Sequence, residues 1–216
     1  MMNETQSIQA AEQLVQARLA RDFSGHDWWH IMRVRATALT IAREELADMF
    51  ICELAALLHD MADGKLVDDE EAALGELGTW LAEQGVDAER AGHILEIIAT
   101  MSFKGGSRPP MRTLEGKVVQ DADRLDAIGA IGISRVFAYS GAKSRPIHDP
   151  GIRPREAMTQ AEYRSGNDTA INHFHEKLLK LKALMNTEHG RKLADGRHRF
   201  MEQYLEQFHK EWEGNA

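Results

Sequence analysis

An all-α fold is predicted, on three observations. Apolar residues recur at helical spacing along most of the chain. No convincing alternating run stands between tight-turn pairs such as Asn-Gly, so strand signals are scarce. The breaks between periodic segments fall on Gly, Pro and Asp, residues that end or cap helices. A helical bundle without a sheet is the simplest architecture, and no internal repeat, low-complexity tract or linker divides it.

Helix is expected over 4–21, with Ile8, Ala11, Leu14, Val15 and Leu19 on one face, and then over 27–46, with Ile31, Val34, Ala38 and Ile41 as its stripe. A third helix, 48–61, carries Ile51, Leu54, Ala55 and Leu58, and Gly64 is expected as its left-handed terminus. Helices follow over 68–84, closed by Gly85, and over 88–101, capped by Asp87. The stretch 104–110 is a loop, because Gly-Gly and Pro-Pro cannot continue a helix. Segments 112–127 and 129–139 come next. An irregular loop spans about 141–154, with three prolines and two glycines. The final helices are 168–185 and 188–212.

Composition narrows the function. The chain has 216 residues, 43% hydrophobic and 28% charged, enough for a real core and against overall disorder. The formal net charge of −8 argues against nucleic acid as a partner, but not against a small anion met by a local metal and a few cations. The single cysteine, Cys52, excludes an internal disulfide and a cysteine zinc site, and is expected to be buried. The N-terminal residues lack a basic and an apolar region, and no apolar run reaches a membrane span, so a cytoplasmic protein without a membrane partner is expected.

Three segments carry metal-binding chemistry. They are His26-Asp27-Trp28-Trp29-His30, Leu58-His59-Asp60-Met61-Ala62-Asp63 and Gln120-Asp121-Ala122-Asp123-Arg124-Leu125-Asp126. A His from the first, the His-Asp pair and an Asp from the third can converge in a bundle core. Two imidazoles and two carboxylates suit Mn, Fe, Co, Ni or Zn better than Ca. The apolar approach Ala55-Ala56-Leu57-Leu58 should bury His59 and Asp60, and a buried Asp needs a partner or a metal. Asp63 lies three residues after Asp60, on the same side of any continuing turn, where it can act as general acid or base. Taken singly, each residue has a plain structural role; the combination is what points to a site.

These residues resemble the HD-domain metal-dependent phosphohydrolase superfamily, whose pattern is His, His-Asp, then a later Asp. His-Asp-Trp-Trp-His-x-x-Arg-Val (26–34), Ser-Phe-Lys-Gly-Gly (102–106), the segment 120–133 and His173-Phe174-His175-Glu176-Lys177-Leu178 look like its bacterial YpgQ/YedJ-like branch. The resemblance runs from about residue 23 to the C-terminus. It implies a single HD domain over 1–216, with a core at about 23–140 and C-terminal helices 168–212 packed on it. It also implies one divalent metal, Mn favoured and Mg admitted, held by His30, His59, Asp60 and Asp123. Asp123 is chosen over Asp121 and Asp126 as the Asp of Ala-Asp-Arg-Leu. Asp63 is the implied catalytic residue. The implied reaction is nucleoside triphosphate pyrophosphohydrolysis, by attack of a metal-bound water with release of pyrophosphate.

The partner expected is therefore a small phosphate anion, most naturally a nucleotide, and a homodimer is compatible. Arg33, Lys65, Lys104, His26 and His93 are the candidate substrate contacts. Arg145, His148 and Arg153 are weaker candidates from the irregular loop, and His173, His175 and Lys177 are expected to be structural. Asp126 is expected in a salt bridge, and Trp28 and Trp29 in the core. Two rivals stand beside this reading: a phosphomonoesterase of the same superfamily, and a non-catalytic nucleotide-sensing module.

Overall fold

The structure is a computed structural model that describes residues 3–19, 27–64, 66–102, 110–155 and 168–215. Among these residues the regular elements are helical and no strand occurs. None of their helices is long and apolar enough to cross a membrane. The chain divides into two compact units, Met1–Ala122 and Asp123–Ala216.

The first unit holds α1 (Glu4–Leu19), α2 (Trp28–Glu45), α3 (Met49–Leu58), α4 (Glu70–Glu83), α5 (Ala88–Met101) and most of α6 (Leu114–Asp126). Its axis is α3. Phe50, Ile51, Cys52 and all five residues of Leu54–Leu58 are buried, so this helix is apolar nearly all round. It packs on α1, α2 and α5, and α5 in turn packs on α4. Full burial of each Leu side chain is worth about 1.5–3 kcal/mol, and this is the main term that holds the unit together. Arg35 on α2 ties the surrounding helices by bonding Glu12 of α1 at 2.6 Å and Glu53 of α3 at 2.8 Å.

Four aspartates start four of these helices. Asp27, Asp48, Asp69 and Asp87 accept backbone N–H bonds from the first turns of α2, α3, α4 and α5. Each fills orphan donors and places negative charge at the positive end of the helix dipole.

One helix end differs from expectation. Helix α3 stops at Leu58, short of 61, because the following residues change to i→i+3 bonding: Met61 N to Leu58 O, Asp63 N to Asp60 O and Leu66 N to Asp63 O. Gly64 is not left-handed; the glycines with positive φ among the described residues are Gly85, Gly129 and Gly214. Helix α2 ends at the expected position, on Leu46, which is left-handed at φ 60° although it is not glycine and is 90% exposed. The expected core position of Trp29 is also overturned. It stands on the outer side of the first turn of α2, 66% exposed, because the turn that buries His30 and Ile31 directs it outward.

The second unit holds the end of α6, α7 (Gly129–Ala142), α8 (Ala170–His173), a π-helical turn (Phe174–Leu178), α9 (Leu179–Leu181), a 3₁₀ turn (Lys182–Leu184) and α10 (Glu188–Trp212). Phe174 is fully buried and stacks on Tyr204 at 5.8 Å between centroids, with Phe137 edge-on to Tyr204. The irregular loop begins later than expected, after Ala142, and is firmly tied. Ala170 N and Ile171 N donate to Pro146 O and Ile147 O, both at 3.0 Å, and Asn172 Nδ2 donates to Ile152 O at 2.8 Å. Arg145 pairs with Asp168 at 3.1 Å, and Arg155 grips both oxygens of buried Glu176 at 2.8–2.9 Å. The π turn seats Glu176 inward for that grip. Burial raises the Glu176 pKa, but the Arg155 bonds outweigh it and hold the carboxyl below its usual range.

His173, beside this network, has its pKa lowered to about 3. Burial is the main cause, followed by Lys177 and Arg145, with Arg155 acting in the same direction and Glu176 opposing.

Two stability predictions result. Leu46→Gly removes a left-handed cost of about 1–2 kcal/mol against a glycine entropy cost of about 0.5–1 kcal/mol. The variant should therefore unfold at higher urea than wild type, with a net gain of up to about 1.5 kcal/mol. The unfolded chain protonates His173 below its ordinary 6.5, whereas the folded chain resists down to about 3. Stability supplied by neutral His173 is thus complete above pH 6.5 and lost as pH falls toward 3. Urea titrations between pH 7.5 and 5 should show this loss, with a shallower slope in His173→Gln.

Candidate metal centre

The centre is built where the buried helix α3 ends. The Asp27 carboxylate accepts the His30 N–H at 2.8 Å and so starts α2 with His30 in its first turn, fully buried. His59 is the C-terminal cap of α3, still in right-handed helical geometry, and Asp60 follows it in the turn. The three side chains meet. His30 Nε2 lies 3.3 Å from His59 Nε2 and 3.5 Å from Asp60 Oδ2, and His59 Nε2 lies 3.4 Å from Asp60 Oδ1. The rings are edge to face, 5.2 Å between centroids. All three residues are at least 95% buried.

The donor set fits a divalent metal. His59 Nδ1 donates to Ala56 O at 2.8 Å, which fixes the proton on Nδ1 and leaves the Nε2 lone pair facing the cluster. Ligands about 2.0–2.2 Å from a common cation lie about 3.0–3.5 Å from one another. The observed separations of 3.3–3.5 Å match that spacing. A carboxylate buried against two imidazole nitrogens is costly without compensating positive charge, and a cation supplies it. Among the described residues this is the group of three or more His, Cys, Asp or Glu side chains close enough to share an ion.

Other expected site residues are placed as follows. Asp63 is half-buried in the turn after Asp60, and its carbonyl accepts Leu66 N at 2.8 Å and Val67 N at 3.1 Å, which stiffens the turn. Ser102 Oγ, at the end of α5, lies 3.4 Å from Asp63 Oδ2. Arg33 is half-buried on α2, three residues after His30. Asp123 is half-buried on the last turn of α6, in the second unit. His93 stands beside Glu115 at 3.6 Å, at an open cavity of about 570 Å³ lined also by Asp48, Asp87, Glu89 and Arg90. Those carboxylates favour a cation over a phosphate. His26, Lys65 and Lys104 lie outside the described residues. Asp126 forms the expected salt bridge, to Arg135 at 2.9 Å. From the loop, Arg145 is engaged by Asp168, and His148 packs against Trp212 and Phe208.

Ser102 and Gln120 carry no site assignment from the sequence, and Asp121 enters there only as the alternative to Asp123. Gln120 and Asp121 are buried, and Gln120 Nε2 donates to Met101 O at 3.0 Å. Their signal was position alone: each lies inside a motif that stood out for other residues.

The HD domain family matches residues 28–128, which contain the whole cluster. The YpgQ protein of Bacillus subtilis is 40% identical over 216 residues, covering 99% of this chain and 97% of its own. The chain belongs to the HD-domain family. A solved structure of B. subtilis YpgQ in complex with ADP is similar at 40% identity and a TM-score of 0.78, covering 97% of this chain and 100% of that one. An HD-superfamily hydrolase from Bacillus thuringiensis is 46% identical, with a TM-score of 0.78, covering 98% of this chain and 99% of that one. This HD-domain protein is a metal-dependent phosphohydrolase, and the His30–His59–Asp60 cluster is its candidate metal centre.

Metal should stabilise the fold through this cluster. At 100 times its Kd, a divalent cation should raise wild-type stability by about 2.7 kcal/mol. His59→Ala and Asp60→Ala should show no such rise in thermal denaturation and no binding heat in calorimetry.

Proposed function

We propose that this chain is a nucleoside triphosphate pyrophosphohydrolase, with Mn²⁺ as the favoured metal and Asp123 as the fourth ligand beside His30, His59 and Asp60. The convergence of two imidazoles and a carboxylate at a buried point carries the hydrolytic part of this reading. The nucleotide part is supported by the B. subtilis YpgQ structure with ADP. Asp123 enters from the sequence pattern. A divalent cation at the centre would supply positive charge to a phosphoryl oxygen and lower the pKa of water.

The chain's own residues do the rest. Asp63 accepts the proton of the attacking water, as a carboxylate on the turn that also carries Asp60. The water oxygen bonds to the α-phosphorus, the bond to the bridging oxygen breaks, and pyrophosphate leaves. Arg33, Lys65, Lys104 and His26 are the groups that offset phosphate charge. The acidic surroundings of His93 leave it outside that set. The rigid carbonyl bonding of residue 63 limits the reorientation its carboxylate needs.

Phosphorus NMR of reactions with dNTPs and NTPs should show monophosphate and pyrophosphate in equal amounts. Orthophosphate released from monophosphates, with triphosphates untouched, would replace this reading by a phosphomonoesterase. Asp63→Asn should retain Mn²⁺ binding and lower kcat by about 10²- to 10⁴-fold, the usual worth of a general base. Nucleotide binding without turnover under any divalent metal would point to a sensor.

A further inference from the structure

We propose that Ser102 is a positioning residue that holds the Asp63 carboxylate in its reactive orientation, and that Gln120 holds Ser102 in place. The inference rests on the assignment of Asp63 to proton transfer made above.

Two hydrogen bonds and the end of α5 carry it, all within the first unit. Ser102 caps the C-terminal end of α5 with extended ψ of 137°, so the chain leaves the helix there and the hydroxyl stands at its end. That hydroxyl donates to Asp63 Oδ2 at 3.4 Å, across 39 residues of sequence. The preceding carbonyl, Met101 O, accepts the Gln120 Nε2–H at 3.0 Å, and this bond is buried. Met101 itself is 5% exposed and Gln120 6% exposed, so the end of α5 is held by packing as well as by the bond. The backbone of Asp63 is fixed separately, by Asp63 N to Asp60 O and by the two N–H bonds its carbonyl accepts.

The chemistry explains the arrangement. A carboxylate on a fixed backbone keeps rotation about its side-chain bonds, and a general base loses rate when its oxygen is misaligned. A hydroxyl donor to one carboxylate oxygen restricts that rotation. The separation of 3.4 Å is long for O–H···O. Hydrogen bonds of this kind tighten when substrate closes the site. The Gln120 amide satisfies a buried carbonyl at the end of α5 that water does not reach. Its burial keeps that end, and the serine after it, at one position.

The test compares wild type, Ser102→Ala, Ser102→Thr, Gln120→Leu, Asp63→Asn and the Ser102→Ala/Asp63→Asn double variant in the full chain. The readouts are kcat and KM for triphosphate hydrolysis, Mn²⁺ affinity by calorimetry, and Tm. Ser102→Ala should lower kcat about 10- to 100-fold, the usual worth of a hydrogen bond to a charged group. KM, Mn²⁺ affinity and Tm should stay within error. Ser102→Thr, which keeps the hydroxyl, should recover most of kcat. Gln120→Leu should lower kcat in the same direction. The double variant should be no slower than Asp63→Asn alone, because the serine acts through that carboxylate. Wild-type kcat in Ser102→Ala, an equal further loss in the double variant, or no rescue by threonine would overturn the inference. Wild-type kcat in Asp63→Asn would instead remove the assignment of Asp63 on which it rests, so the two failures are told apart.

Discussion

Burial of the Asp60 carboxylate at the end of an apolar helix is the constraint on which the first unit is organised. Helix α3 is covered on most sides by α1, α2 and α5, so the residues that leave its C-terminal end enter the protein interior rather than solvent. A charged group in that position is tolerated only with compensating partners. His30 and His59 stand at 3.5 and 3.4 Å from its oxygens, and the three together form a donor set for a cation. The same apolar packing that stabilises the unit therefore creates the electrostatic need that a metal answers. Stability and function share one helix.

Precision at the centre comes from backbone bonding on either side of it. The Asp27 cap fixes where α2 begins and so which residue of its first turn faces inward. The bond from His59 Nδ1 to Ala56 O selects the tautomer. The shift from helical to i→i+3 bonding after Leu58 turns Asp60 back toward the histidines and carries Asp63 round on a stiff turn. None of these bonds is strong by itself, each being worth about 1 kcal/mol. Their combined effect is to remove alternatives, which is what a ligand set and a proton acceptor require. In the second unit a different device does comparable work. Arg145, Arg155, Asp168 and Glu176 fasten the irregular segment after α7 to the helices that follow it.

Legibility in the sequence tracked the range of the interaction concerned. Helices set by local periodicity and caps were read almost to the residue: 88–101 and 188–212 match α5 and α10. Ends governed by local competition were read less well. Helix α3 stops early although its apolar run continues, because the residues after Leu58 change to i→i+3 bonding, and although the end of α2 at Leu46 is legible, its left-handed cap on a non-glycine is not. Trp29 was expected inside because Trp is large and apolar, yet helix phase puts it outside. For the centre, the residue types of His30, His59 and Asp60 announced the chemistry, and Asp63 followed from its spacing. Ser102 and Gln120 gave no such signal, because a serine and a glutamine are ordinary residues until a partner from elsewhere in the chain is known.

What the sequence determined by itself was the all-helical class, most element positions, the two metal-donor types and the family, since each depends on residue identity and on neighbours within a few positions. What only the tertiary structure decided was that His30 and His59 face one another with Asp60 between them, and that Ser102 reaches Asp63. It also decided that His93 stands 3.6 Å from Glu115, at a cavity lined by Asp48, Asp87 and Glu89. The contacts of His30 with His59 and of Ser102 with Asp63 join residues 29 and 39 positions apart, and His93 sits in a field made by distant charges. Their energies depend on burial and separation, quantities that exist only once the helices have packed.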